Sequence, residues 1–359
     1  MGPFLVITLY PGESEMIKTG IIGASGYTGA ELIRLLYHHP MVEISLITSR
    51  QYAGEPLSAC YPGLGHLGLT FEDHNDEGVL DQAELFFTAL PHKASAGIVA
   101  KLVAKGKRVI DLSADFRFSE VSVYEEHYEE HPHPELFKEA VYGLTELYGE
   151  EVKGAKIVAN PGCYPTCSII PLYPLLKEGL ISTNGIIIDA KSGVSGAGRG
   201  ASQTTHFCEA NESIKAYKVA AHRHTPEIEE HLSKASGSPV KVVFTPHLVP
   251  MSRGMLATIY ATALNGVGRD KVEKTWRDFY NDTPFVEVTP GETLPDTAFV
   301  RGTNRCMIAV RENPSTGHLI LLSVIDNLAK GASSQAVQNM NKMMGWPQDK
   351  GLKVPVLFP

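Results

Sequence analysis

The sequence predicts an α/β chain built of two units, a doubly wound parallel sheet followed by an α+β unit whose sheet is mostly antiparallel. Three observations predict it. Short apolar strands alternate with helix-period segments up to about residue 160, a glycine-rich loop joins the first strand to the first helix, and beyond about residue 185 strands dominate.

In the first half, "IKTGII" (17–22), "VEISLIT" (42–48), "LFFTAL" (85–90), "RVIDLS" (108–113) and "KIVAN" (156–160) read as short buried strands. Residues 28–39 and 93–106 between them have helical spacing, so the unit repeats as βαβ, which binds ligands at the carboxyl ends of its strands. From "GIIIDAKSG" onward the pattern becomes strand-rich with few helices, through "PVKVVFTPHLVP", "MLATIYATAL", "CMIAVRE" and "HLILLSVID". A last segment, 327–345, sets Ala332, Ala336, Val337, Met340 and Met344 on one helical face and is expected to pack back on the first unit. The expected division is therefore 16–162, completed by 327–359, and 163–326, with residues 1–15 as an amino-terminal extension.

Composition narrows the function. The 359 residues are 43% hydrophobic and 20% charged, as in soluble globular proteins able to bury large cores. A net charge of −8 without any Lys/Arg-rich run provides no nucleic-acid footprint. No segment approaches the ~18 apolar residues that span a bilayer, so no membrane partner is expected. Five cysteines (60, 163, 167, 208 and 306), odd in number and widely spread, suit a reducing compartment, and a cytoplasmic location is expected.

"GIIGASGYTGAEL" spaces Gly23, Gly26 and Gly29 as G-x-x-G-x-x-G between a strand and a helix. This is the context of a Rossmann-type dinucleotide site, in which Gly26 and Gly29 permit backbone approach and helix packing. Ser25, Tyr27 and Thr28 complete the loop, whose N–H groups face a pyrophosphate. The second strand ends in Thr48, Ser49 and Arg50, without the acidic residue that holds a ribose 2′-hydroxyl. A hydroxyl and a guanidinium suit a 2′-phosphate, so NADP is expected over NAD.

"ANPGCYPTCSIIPLYPLL" (159–176) carries two cysteines of different character. Cys163 stands where a strand gives way to a helix, and a helix amino terminus favours a thiolate. Cys167, one turn inside among Ile169, Ile170 and Leu172, reads as packing. Spacing of this kind without further paired ligands is a poor zinc signal, and no metal is expected. A catalytic thiol needs a proton partner, and "AAHRHTPEIEEH" supplies His222 and His224, two apart and therefore on one side of an extended strand. Either could be the acid or base. His38, His39, His131 and His133 read as structural or surface histidines.

"VIDLSADFRF" sets Asp111, Ser113 and Arg117 just past a strand, facing the ligand crevice, where an arginine could grip an anion. "DAKSGVSGAGRG" (189–200) is a second glycine- and serine-rich loop after a strand, with N–H groups suited to an oxyanion.

From Met16 to Pro359 the chain closely resembles the N-acetyl-γ-glutamyl-phosphate reductase family of arginine biosynthesis, relatives of aspartate-semialdehyde dehydrogenase. The resemblance runs in order through "GASGYTGAEL", "DLSADFR", "VYGLTEL", "VANPGCYPT", "DAKSGVSGAGRG", "HRHTPEI", "FTPHLVPMSRGM" and "SVIDNLAKGA". It implies that Cys163 is the nucleophile, that the His-Arg-His segment is the acid/base region and that Arg117 contacts a substrate anion. It also implies that Ser192 and Gly193 line the substrate site and that Asn327 lies near the nicotinamide. Two departures stand out. Ser334 replaces a glycine common in "KGAxGQA", and Met255 follows Gly254 where aspartate-semialdehyde dehydrogenases have a histidine. The second departure puts the base elsewhere, at His222 or His224.

The reaction so implied is reduction of N-acetyl-L-glutamyl 5-phosphate by NADPH to the 5-semialdehyde through a Cys163 thioester, in a catalytic and oligomerisation unit forming dimers or tetramers. Two rivals stand beside it: the same chemistry on an aminoadipyl or aspartyl phosphate, and a non-catalytic NADP-binding sensor.

Overall fold

The computed structural model describes residues 16–357, so the extension expected at residues 1–15 lies outside the described residues. The first half comprises β1 (Ile17–Ile22), α1 (Tyr27–Leu36), β2 (Val42–Thr48), α2 (Leu57–Cys60), β3 (Phe71–Glu72) and β4 (Leu85–Thr88). It continues through α3 (Ala94–Ala104), β5 (Arg108–Asp111), α4 (Val121–His127), β6 (Ala140–Tyr142), α5 (Thr145–Val152) and β7 (Ile157–Ala159). The strands form one parallel sheet in the order β3-β2-β1-β4-β5-β7-β6. Both faces are covered, which is why β4 reads "LFFT" with every residue buried. The five expected strands form. β3 and β6 escape the sequence reading because two and three residues are too few to display a period.

The second half begins with α6 (Cys163–Lys177), β8 (Ile186–Gly193), α7 (Phe207–Ala210), β9 (Lys215–Ala216), α8 (His224–Ser236) and β10 (Val242–Val249). It ends with β11 (Met255–Thr262), α9 (Arg269–Phe279), β12 (Val286–Val288), β13 (Cys306–Asn313), β14 (His318–Ile325) and α10 (Ser334–Met343). Its sheet, in the order β12-β13-β14-β11-β8-β10-β9, is mixed but mostly antiparallel, the pairs β8–β10 and β12–β13 being parallel. Residues of β8, β10 and β11 alternate in burial. One face packs on α6, α8 and α9, while the other leaves Ile187, paired with both Val243 and Tyr260, open.

The expectation of few helices in this half is corrected, since α6, α8 and α9 cover the sheet. Helix α6 carries Pro171 and Pro174 in its interior, and Pro174 has no N–H for the carbonyl of Ile170. The Tyr280 hydroxyl donates to that carbonyl at 2.7 Å instead.

Two features join the halves. Ala336, Val337, Met340 and Met343 of α10 lie in the core of the first sheet, as the helical face read from the sequence expects. Arg253, just before β11, is gripped by Glu31 of α1 (2.9 and 3.1 Å) and by Asp326 after β14 (2.9 and 3.2 Å). Ser334 has φ −73° and ψ −31°, ordinary helix, and donates to Asn304 Oδ1 at 2.7 Å, so a glycine is not required there. No helix among the described residues is long and apolar enough to cross a membrane.

Candidate active site

At the carboxyl end of β1 the chain turns through Gly23, whose φ of +86° favours glycine and whose missing Cβ would lie 2.6 Å from the Ala89 carbonyl oxygen. A Cβ on Gly29 would meet Ala24 at 2.5 Å, so this glycine lets α1 pack on the loop. Gly26, the residue before α1, faces open space, its nearest neighbour being the Gly23 oxygen at 3.7 Å. That opening is a cradle for a ligand at the helix start.

A cleft of about 890 Å³ runs from this loop past Thr48, Ser49 and Arg50 to Cys163 and Asn327. Ser25 and Ser49 hydroxyls are 2.9 Å apart on its wall, and Arg50 is exposed at its rim. Asn327 is held at both ends of its amide. Its Oδ1 accepts from Gly254 N at 2.8 Å, and its Nδ2 donates to Ser195 Oγ at 2.9 Å.

A second cavity of about 580 Å³ adjoins the first and shares Cys163, His224 and His92 with it. Cys163 is the first residue of α6 and remains partly open at this junction. Burial pushes its thiol up to about 11, against the pull of Arg117 and of the first N–H groups of the helix. The helix start does pull toward the thiolate, as the sequence reading expects, but desolvation outweighs it. Burial also holds His224 well below the ordinary imidazole value, with the cations nearby acting in the same direction. The resting pair is a thiol beside a neutral imidazole.

The local structure of 222–224 differs from the extended strand expected. His222 lies in a turn, and His224 opens α8 with Pro226 in the first turn. His222 Nδ1 accepts the His224 N–H at 3.1 Å, and its ring lies among Tyr164, Tyr217 and Phe244. Of these two cavities His222 lines the second and not the first, whereas His224 lines both. The His224 Nε2 comes within 2.6 Å of where a Gly162 Cβ would stand, so a side chain before Cys163 would displace the imidazole.

The helical start brings in Glu227, which the reading as a strand hid. Lying three residues after His224, it is on the same face of α8. It is fully buried; Oε1 accepts from Gly162 N (2.8 Å) and the Tyr142 hydroxyl (2.7 Å), and Oε2 from Arg117 Nη1 (3.3 Å). Arg117 also donates to the carbonyls of Asn160 (2.7 Å) and Leu112 (2.9 Å) and is 6% exposed. The guanidinium thereby braces the strand ends around Cys163, and it also lines the first cavity. Asp111 and Ser113 are likewise inward, with Asp111 accepting from Thr88, Ser95 and Ser113 hydroxyls at 2.6, 2.5 and 2.6 Å.

Of the second loop, Ser192 lines the second cavity. Gly193 does not: a Cβ there would press on the Ser252 carbonyl at 2.7 Å, so it serves close packing, and Gly196 takes its place in the cavity wall. Gly331 is a further close approach, 2.7 Å from its missing Cβ to the Cys163 Cβ. Cys167 is buried against Ser323, consistent with packing. His39 and His131 are buried structural histidines, His39 paired with Asn341 and His131 set among Phe116, Tyr124 and Phe137.

A dinucleotide-type sheet joined to a mixed sheet, with a cysteine where their cavities meet, is the organisation of a semialdehyde dehydrogenase. Residues 18–155 match that family's NAD binding domain and 163–327 its dimerisation domain. Within that class, the chain belongs to the N-acetyl-gamma-glutamyl-phosphate reductase family. A member from Syntrophobacter fumaroxidans is 51% identical over 339 residues, 94% of this chain and 98% of the relative. One from Desulforudis audaxviator is 52% identical over 346 residues, 96% of this chain and all of the relative. Among solved structures, Vibrio cholerae aspartate semialdehyde dehydrogenase II complexed with ASA shares the fold at a TM-score of 0.69 and 18% identity, covering 92% and 98% of the chains. The Candida albicans aspartate semialdehyde dehydrogenase with NADP does so at 0.68 and 16%, covering 91% and 99%.

Proposed function

We propose that this chain reduces N-acetyl-L-glutamyl 5-phosphate to N-acetyl-L-glutamate 5-semialdehyde with NADPH, releasing phosphate, as a step of arginine biosynthesis. The observation that carries the reading is Cys163 at the start of α6, shared with His224 between a dinucleotide cleft and a second cavity. The names of the full-length relatives supply the substrate.

Gly23, Gly26 and Gly29 with Ser25, Tyr27 and Thr28 would hold the pyrophosphate of NADP, Ser49 and Arg50 its 2′-phosphate, and Asn327 the nicotinamide end. The open face of Gly26 and the absence of a carboxylate beside Arg50 on the cleft wall fit that ligand. When bound, NADPH supplies hydride.

The residues do the rest. His224, neutral at rest, takes the Cys163 proton as sulfur attacks the acyl carbon, and the C–O bond to phosphate breaks to leave a thioester. The proton on His224 then serves the departing phosphate. Glu227 and Arg117 act as positioning residues, tying the Gly162–Cys163 junction to α8 and to the end of β5. His222 fixes the start of α8 through the His224 N–H. Ser192 lines the acyl pocket. The cofactor unit is 16–162 with 327–359, and the catalytic unit is 163–326. The open face of the second sheet around Ile187 and Val243 would pair subunits into a homo-oligomer, with the enzyme in the cytoplasm.

NADPH oxidation by purified protein, measured with N-acetylglutamyl, aspartyl and aminoadipyl phosphates, tests the reading. Turnover should favour the first and vanish in Cys163→Ser. Preference for another acyl phosphate, or turnover retained by Cys163→Ser, would overturn it.

A further inference from the structure

We propose that Lys218 and Arg223 are the specificity-determining cations of the second cavity, Arg223 taking the phosphoryl group of the acyl phosphate and Lys218 the carboxylate at its far end. This rests on the reaction assigned above.

A substrate with an acyl phosphate and a carboxylate presents two anions, and the cavity beyond Cys163 has to meet both. Arg117, the cation expected for this task, donates to Asn160, Leu112 and Glu227 and borders the first cavity, not the second. The wall of the second cavity contains two cations, Lys218 and Arg223, and no carboxylate. Neither cation forms an ion pair among the described residues. Arg223 lies over the Tyr128 ring, 5.0 Å from its centroid, and the charge bearing on Lys218 is Arg223 itself. Two cations and no carboxylate on one concave wall make it electropositive and attractive to an anion.

The backbone that delivers Lys218 is itself unusual. Lys218 and Ala220 have φ of +45° and +56°, held by Ala221 N donating to the Lys218 carbonyl at 3.0 Å and Tyr217 N to the Pro246 carbonyl at 3.1 Å. Such conformations are unfavourable for residues with a Cβ and persist where the fold over-determines them. Lys218, so placed, is among the residues lining the second cavity.

Sequence position divides the roles. Arg223 caps α8 immediately before His224, and its charge bears on His224, the proposed proton carrier for the leaving phosphate. Lys218 lies five residues earlier in the chain, and its charge bears, together with that of Arg223, on His222 and His92. The phosphoryl end belongs with Arg223, and the distal carboxylate with Lys218.

Running the reaction backwards separates the two anions, because inorganic phosphate and the semialdehyde are then distinct substrates, the aldehyde carbon being oxidised to the acyl phosphate as NADP is reduced. Lys218→Gln should raise KM for N-acetylglutamate semialdehyde roughly 10- to 100-fold and leave KM for phosphate nearly unchanged. Arg223→Gln should do the opposite, with partial rescue by Arg223→Lys. Unchanged NADP affinity, read by fluorescence, certifies folding, and Lys218→Gln at an exposed turn keeps the test valid if Arg223→Gln does not fold. Variants with wild-type KM values, or with the two effects exchanged, would overturn the assignment. A wild-type protein inert toward this semialdehyde would instead overturn the reaction itself.

Discussion

The Oε1 atom of Glu227 accepts the Gly162 N–H at 2.8 Å, tying the helix that carries His224 to the residue that precedes Cys163. Cys163 and His224, the proposed nucleophile and base, thereby sit on two helices locked at their amino-terminal ends. The carboxylate is also the anionic partner of buried Arg117, so its charge and its geometry act together.

Glu227→Gln keeps the shape and removes the charge. Because Glu227 raises the Cys163 thiol and Arg117 lowers it, the variant thiol should ionise at lower pH and react faster with iodoacetamide near neutrality. Leaving Arg117 buried without its partner should cost about 3–5 kcal/mol of stability. Turnover should fall despite the more reactive thiol. Alkylation rates against pH, with denaturant unfolding, check both halves.

Gly331→Ala tests the close approach beside the nucleophile. The new methyl would lie 2.7 Å from the Cys163 Cβ, so the thiol must shift. The expected outcome is a stability loss of about 1–3 kcal/mol and a larger proportional loss of kcat, since misplaced reacting atoms cost roughly 100-fold per ångström. Single-turnover thioester formation against thermal unfolding separates the two effects.

Arg253→Met removes the clamp between the halves. Glu31 and Asp326 would be left buried without their shared cation, at a cost of about 3–5 kcal/mol. Asn327 follows Asp326 directly, so KM for NADPH should rise along with susceptibility to limited proteolysis. Native-like resistance and an unchanged KM would show that the network is dispensable.

Alkaline stability follows from the thiols. Burial pushes Cys163 up to about 11, Cys306 up to about 12 and Cys167 higher still. The unfolded thiols ionise near about 8.5, while the folded ones keep their protons. Their contribution is therefore complete below that pH and is lost as pH rises toward the folded values. The urea midpoint should fall between about pH 7 and about pH 10, and less so in Cys167→Ala relative to its own neutral value.

Arg50→Gln addresses the cofactor. A lost phosphate contact should raise KM for NADPH roughly 10-fold or more while leaving the weaker NADH reaction nearly unchanged. Equal effects on both dinucleotides would remove Arg50 from 2′-phosphate recognition.

The parallel sheet was legible because buried strands read as apolar runs, and the glycine loop because Gly23 and Gly29 stand where a Cβ would strike backbone. The helical face of α10 was legible for the same kind of reason, a period that survives over several turns. His222 and His224 were marked by composition, yet their local conformation was misread. Spacing of two fits a strand, whereas Pro226 in a first turn fits a helix, and only the latter exposes Glu227 as a neighbour of His224. An arginine past a strand end reads alike whether or not it also holds protein acceptors, and only the fold shows that Arg117 binds three of them.

By itself the sequence determined which segments bury themselves, which glycines must lack a side chain and which cysteine begins a helix, since these depend on period and on local sterics. The tertiary structure alone decided that burial raises the Cys163 thiol, that His224 opens to both cavities and that the cations on the wall of the second cavity are Lys218 and Arg223. Those properties come from desolvation and from partners far apart in the chain, 65 residues between Gly162 and Glu227 and 110 between Arg117 and Glu227, and no local pattern records them.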